Sequence, residues 1–325
     1  MTLAIRRRHA PRMIARARLA RALAVLSVTS LLGGAAPVIG GPVAAGASAP
    51  RLAGCPAFPA TNVWNRRVDR LPVHPDSDAL KRSIGLREPL HPDFGSYSGY
   101  GIPWNVVDAT TPGVSVRFGW PDESDAGPYP IPPNPRIEGG SDRHILLVDR
   151  DTCRLYELFA AEQGPDGWQA GSGAIWDLRS NALRPKRWTS ADAAGLPILP
   201  GLVRYPEVAD GEIRHALRFT APATRRAFVY PARHFASDRT DPGLPPMGLR
   251  VRLKRSVRID GYPRQARVLL RALQRYGMIL ADNGSPWYVT GAPDPRWDDD
   301  ALHTLHGIRG DDFEVVDTRA LRNDS

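Results

Sequence analysis

The sequence predicts a mainly β protein: a β-sandwich or jelly-roll-like single domain with long Pro/Gly-rich loops and one or two helices near the C-terminus. Three observations lead there. Short runs of apolar or alternating residues recur through the centre of the chain, each bounded by turn residues. The 32 prolines and 30 glycines interrupt any longer pattern. Only one segment keeps helical spacing over several turns, and a βαβ architecture would need more helices than that.

Residues 1–49 read as an export signal. Arg6, Arg7, Arg8, Arg12, Arg16, Arg18 and Arg21 make a basic start without an acid. An apolar stretch from Leu19 to Leu32 follows, and small residues lead to Ala45-Gly46-Ala47, so cleavage is expected near 45–49. Ser27, Thr29 and Ser30 interrupt the apolar stretch, which makes it a poor membrane span. The expectation is one secreted domain over residues 50–325, extracellular or periplasmic, with the export route (Sec or twin-arginine) open.

Charge supports no nucleic-acid partner. Of 43 basic and 34 acidic residues, seven basic and no acidic ones fall in 1–49, which leaves 36 against 34. Nothing in that near-neutral remainder forms a basic stripe with interleaved aromatics. Cys55 and Cys153 are expected to form one disulfide, the simplest state of two cysteines in an exported chain. Leu52-Ala53-Gly54-Cys55 also reads as a lipoprotein box, but Pro50, Arg51 and a dozen small residues separate it from the apolar run. The disulfide is the favoured reading.

Along the remainder, residues 56–140 suit loops and short edge strands, with one clear strand at Val114–Phe118. His144–Val148 and Arg154–Phe159 read as a hairpin around Asp149-Arg150-Asp151. Gly173–Leu178, Ile213–Phe219, Ala227–Tyr230 and Leu249–Leu253 are further strands. A helix begins at Pro263, carries Ala266, Leu269, Leu270 and Leu273 on one face, and stops at Gly277. Met278–Asp282 and Trp287–Thr290 flank Asn283-Gly284 and predict a second hairpin. Asp298, before Asp299, Asp300 and Ala301, reads as a helix cap rather than a calcium ligand.

Candidate chemistry comes from polar residues that alternation places among apolar ones. Glu157 shares a strand face with Leu155 and Phe159, and burial of a carboxylate raises its pKa toward the range of a general acid. His215 lies with Ile213, Leu217 and Phe219, while Arg218 points the other way; His144 lies with Leu146 and Val148. His234 sits in a loop. Asp282 ends a strand on the face of Met278 and Leu280, beside Asn283 and across the turn from Trp287; Asp177 follows Trp176 in the same way. An acid beside an exposed Trp is what sugar binding uses, the indole stacking on the ring and the carboxylate bonding hydroxyls. No G-x-S-x-G, H-E-x-x-H, P-loop or dinucleotide fingerprint occurs, and no cofactor or metal is expected.

The segments Asp142-Arg143-His144, Gly171–Asn181, Trp188–Pro197, Pro231–Ser237 and Tyr276–Trp297 resemble a family of secreted bacterial proteins over about residues 55–318. The resemblance implies a secreted single domain and supplies no catalytic residues. Together these readings point to a glycan-active enzyme, foremost a glycoside hydrolase. Its candidate carboxylates are Glu157, Asp177 and Asp282, with His215 and His234 as further catalytic candidates and Trp176, Arg218, Asn283, Trp287 and His144 as binding residues. Two alternatives stand beside it. One is a polysaccharide lyase using Arg218, His215, His234 and Tyr230, and the other is a non-catalytic carbohydrate-binding or cell-envelope protein.

Overall fold

The chain opens with a small hairpin, β1 (Arg51–Leu52) and β2 (Cys55–Pro56), followed by α1 (Ser77–Ile84), β3 (His91–Asp93) and β4 (Trp104–Val107). The centre holds β5 (Val116–Phe118), β6 (Ile145–Asp149), β7 (Arg154–Phe159), β8 (Glu162–Gly164), β9 (Gly167–Ala170) and β10 (Ser172–Asp177). Next come α2 (Tyr205–Ala209), β11 (Leu217–Ala221), β12 (Arg250–Leu253) and α3 (Arg264–Arg275). β13 (Met278–Asn283), β14 (Tyr288–Thr290), α4 (Asp299–His303) and β15 (Phe313–Val315) complete it. This computed structural model describes residues 49–322, so the export signal expected in 1–49 falls, but for its last residue, outside the described residues.

The fold is mainly β and sandwich-like. Its two principal sheets have the orders β10-β7-β6-β4 and β15-β12-β13-β11-β14-β3, and each mixes parallel with antiparallel pairs. A third sheet, β5-β9-β8, covers the outer side of the smaller one. Alternation therefore buries the smaller sheet on both faces. Leu146, Val148, Leu155 and Trp176 join the main core with Leu217, Phe219 and Leu280 of the larger sheet. Ile145, Leu147 and Leu158 join Val116, Trp168 and Ala170. A strand covered on both sides reads as a continuous apolar run, which is why His144–Val148 shows little alternation.

The late helix forms as its spacing requires. α3 buries Ala266, Leu269, Leu270 and Leu273 and packs on β12. It ends at Gly277, where φ is +65° and a Cβ would collide with the Val251 carbonyl, so only glycine fits. Asp298 caps α4 through the Ala301 N–H, as expected. Cys55 and Cys153 form the expected disulfide, with Cα atoms 5.4 Å apart, and tie β2 to the β6–β7 turn. Its sulfur so engaged, Cys55 is not available for a lipid thioether. Among the described residues no helix is long and apolar enough to cross a membrane.

Three expected strand features differ. β11 begins only at Leu217, so Ile213 and His215 precede it, and Ala227–Tyr230 contributes just the isolated bridge Phe228–Met247. The Asn283-Gly284 hairpin is not formed. β11 lies between β13 and β14, parallel to the first and antiparallel to the second. Trp287 supplies the reason. Its indole is fully buried, stacked on Phe219 (5.6 Å between centroids) and Phe313 (5.0 Å), and donates to the Gly85 carbonyl at 2.7 Å. Burying so large an aromatic outweighs the local preference of Asn-Gly for a tight turn. Trp287 is thus a core residue and not a sugar platform.

Candidate active site

A cleft of about 500 Å³ opens where β7 and β13 end and β10 begins, lined among others by Phe159, Ser172, Asp282 and Asn283. Loop residues 189–193 form one wall, Trp120 and Glu123 a second, and His234 and Ala236 a third. Each wall is anchored from behind.

A β-bulge delivers Asp282. Leu217 pairs with Met278, Arg218 with Ile279 and Phe219 with Leu280, but the register then shifts and Thr220 pairs with Asp282. Residues that pair directly share a sheet face, so the shift moves Asp282 off the Met278–Leu280 face expected for it and onto the face of Arg218. There, among the described residues, its side chain's single hydrogen bond is from the Asn283 N–H to Oδ1, 2.7 Å.

The 189–199 segment threads between the two sheets and is held from both. On the smaller sheet, His144 donates from Nε2 to the Ala191 carbonyl at 2.9 Å and from Nδ1 to Glu138. Glu157 accepts the Ile198 N–H at 3.0 Å and the Leu199 N–H at 2.9 Å. On the larger sheet, Arg218 forks onto both oxygens of Asp192, each at 3.2 Å, and reaches Thr290 at 2.9 Å. Gly195 lets the loop close: φ is +66° and a Cβ would stand 2.5 Å from the Trp188 carbonyl. Arg184 joins this loop to the next wall, donating to the carbonyls of Thr189 (2.6 Å) and Glu123 (2.9 Å) and to Asp125 (2.5 Å). Its guanidinium lies over Trp176 and Trp188.

The floor carries more acids than cations. Burial pushes Asp192 up to about 7 despite Arg218, and the nearby Asp282 adds to the rise. Burial likewise raises Asp282 against the pull of Arg218. Glu157 is raised by burial, which its N–H bonds from Leu199 and Ile198 only partly offset. Burial lowers His144, but the hydrogen bond and charge of Glu138 outweigh it and hold the imidazolium above its ordinary range. With both ring nitrogens donating, His144 is the cation this geometry requires.

His234 completes the rim. Its Nδ1–H donates to the Ala193 carbonyl at 2.9 Å, which leaves Nε2 facing Glu123 Oε2 at 3.8 Å. Glu123 is oriented by the Thr189 N–H at 2.9 Å. Trp120 is 54% exposed and stacks on Phe159, presenting an indole face at the cleft mouth.

Of the expected site residues, Asp282, Asn283 and His234 line the cleft, and Arg218 and His144 lie just behind it. The three expected carboxylates are not brought together. Glu157 is fully buried and bonds backbone, and Asp177 is exposed at the end of β10, accepting the Arg179 N–H. His215 is enclosed in a separate cluster with Arg204 and Glu207. Trp176 is buried beneath Arg184. Tyr230 is not among the cleft residues, so the His–Tyr–Arg grouping of the lyase alternative is not assembled there. Sequence reasoning did not single out Asp192, Glu123 and Trp120. Glu123 follows Trp120 closely, so the acid-beside-Trp signal was present there; Asp192 sits in a run of small residues without periodicity. Among the described residues no group of three or more His, Cys, Asp or Glu is placed to hold a metal ion. Comparison of the chain with protein-family models, with curated proteins and with solved structures finds no match.

Proposed function

We propose that this protein is a secreted glycan-active enzyme that hydrolyses glycosidic bonds in the cleft above Asp192 and Arg218. One observation carries the reading: Asp282, a recessed carboxylate with a raised pKa, stands in the same cleft as the His234–Glu123 pair and the exposed indole of Trp120. A carboxyl whose proton is held more tightly because burial disfavours its charged form suits a general acid. Asp282 gives that proton to the glycosidic oxygen as the bond to the anomeric carbon breaks. A water placed between His234 Nε2 and Glu123 attacks that carbon and loses a proton to His234. Solvent then restores both groups. Asp192, whose carboxylate is wholly enclosed, touches no substrate and is held in place by Arg218; the like charge that adds to the rise in Asp282 is Asp142 at the mouth.

The test is incubation of the purified protein with a glycan panel and mass analysis of the products. Fragments that gain one water are expected, with a loss of turnover on the order of 10²–10⁴-fold in Asp282→Asn. Unsaturated fragments would replace hydrolysis with elimination. Intact glycan that co-sediments with the protein would leave a binding protein without catalysis.

A further inference from the structure

We infer that the cleft takes a glycan bearing free, protonated amines and rejects acidic polysaccharides. The inference rests on the hydrolase reading for its substrate being a glycan, and on the lining of the cleft for the rest. Glu123, Asp142, Asp192 and Asp282 line it, and among the described residues no lysine or arginine does. Behind the lining, Arg218 is committed to Asp192 and Thr290 and Arg184 to Asp125 and the carbonyls of Thr189 and Glu123, and Asp192 has no exposed side-chain surface. Asp142 and Glu123 are left to meet a ligand, Glu123 with the His234 imidazole 3.8 Å away.

Hydrogen bonding strengthens the case. Among the described residues the Asp282 side chain takes only the neighbouring Asn283 N–H, on Oδ1, which leaves Oδ2 for the proton it donates, so Asp142 and Glu123 are the acids that accept from a ligand ammonium. Asp142 is exposed at the mouth, and among the described residues its carboxylate is bonded only by the hydroxyl of Ser141. Trp120, stacked on Phe159, adds an aromatic face, and an indole attracts a cation as well as a sugar's C–H surface. A uronate or sulfate ester would bring an anion beside Asp142 and Glu123, whereas a hexosamine with its amine uncovered would give them a counter-charge. N-acetylation removes that charge from an otherwise identical ring, so it provides the control.

Binding is read from quenching of tryptophan fluorescence with three probes of equal length: glucosamine oligomers, the same oligomers fully N-acetylated, and a polyuronate. The glucosamine oligomer is expected to bind at least about tenfold more tightly than the other two, and to weaken as salt rises. Asp142→Asn, outside the proposed catalytic groups, is expected to reduce amine binding by about threefold and leave the acetylated oligomer unchanged. Equal or tighter binding of the polyuronate or the acetylated oligomer overturns the inference. The two readings fail separately. Cleavage of the acetylated oligomer without binding of the amine form sinks this inference and keeps the hydrolase; tight binding of the amine form without cleavage does the reverse.

Discussion

Two buried charge clusters hold the two ends of the segment from Thr189 to Arg204, and their stoichiometry differs. At one end Arg204 reaches Glu207 at 2.8 Å and the Leu199 carbonyl at 2.5 Å. His215 donates from Nδ1 to the Ala216 carbonyl at 2.7 Å, and its Nε2 lies 2.9 Å from Arg204 and 3.2 Å from Glu207. A single acid there faces an arginine and a histidine. Burial would raise Glu207, but the charges of Arg204 and then His215 outweigh it and hold its carboxyl below the ordinary range. At the other end Glu138, Glu157, Asp192 and Asp282 share His144 and Arg218, and three of those acids are pushed up. The matched cluster is closed off and structural. The mismatched one borders the cleft. An excess of buried acids is tolerated where protons can be exchanged with a ligand or with water, and that is also where shifted acids are useful.

The comparison is broken most directly by removing charge from each cluster in turn. In the closed cluster Glu207→Gln leaves Arg204 buried without a counter-charge, and a loss of about 3–5 kcal/mol is expected. Urea unfolding measures it. A loss under about 1 kcal/mol would mean that this cluster is held by packing and backbone hydrogen bonds, not by charge. In the open cluster Arg218→Lys keeps the charge but not the fork on Asp192 and the reach to Thr290. It should cost roughly 1.5–3 kcal/mol and also lower turnover, because Asp192 and the loop around it lose their fixed position. A lysine variant with full activity would show that the fork does not position the floor.

How legible this difference was in the sequence depends on what each residue's neighbours could reveal. Alternation placed Glu157 with Leu155 and Phe159 correctly, because the β6–β7 pairing is local and regular. It could not say that the partners of Glu157 would be N–H groups of Ile198 and Leu199, 41 and 42 residues away. His215 stood out for the same reason and turned out to be satisfied in place. Asp282 was found beside its Trp, yet its face was misread, since a bulge is invisible to a period of two. The loop around Asp192 carries only small residues, and its position comes from His144, Glu157 and Arg218 on two different sheets. The β6–β7 hairpin, the late helix and the capped helix after Asp298 rest on local signals and were readable, and the disulfide followed from there being just two cysteines, whereas the strand at 227–230 and the hairpin at Asn283-Gly284 were overridden by tertiary packing. The cleft is assembled from long-range contacts and was readable only in pieces.

The sharpest form of the comparison is a single substitution of acid by amide whose sign should be opposite in the two clusters. Asp282 has a folded pKa above its unfolded one, so between the two values the native state binds more protons than the unfolded chain. Stability is therefore greatest below the unfolded pKa, near 4, and declines as pH rises through the window toward the folded value. Asp282→Asn removes that decline. Its melting temperature should match the parent near pH 4 and exceed it at pH 7 by ~2–4 °C, the size of about 1 kcal/mol in a chain of this length. Glu207→Gln should behave in reverse. A depressed pKa contributes stability above the unfolded value that is lost in acid, so the deficit of that variant should be largest at pH 7 and shrink as pH falls below 4. Melting curves of both variants from about pH 2.5 to pH 7 decide it. If Asp282→Asn loses stability at pH 7 as Glu207→Gln does, the carboxylate is paired in solution in a way this cleft does not show, and Asp282 cannot be the group that holds a proton for catalysis.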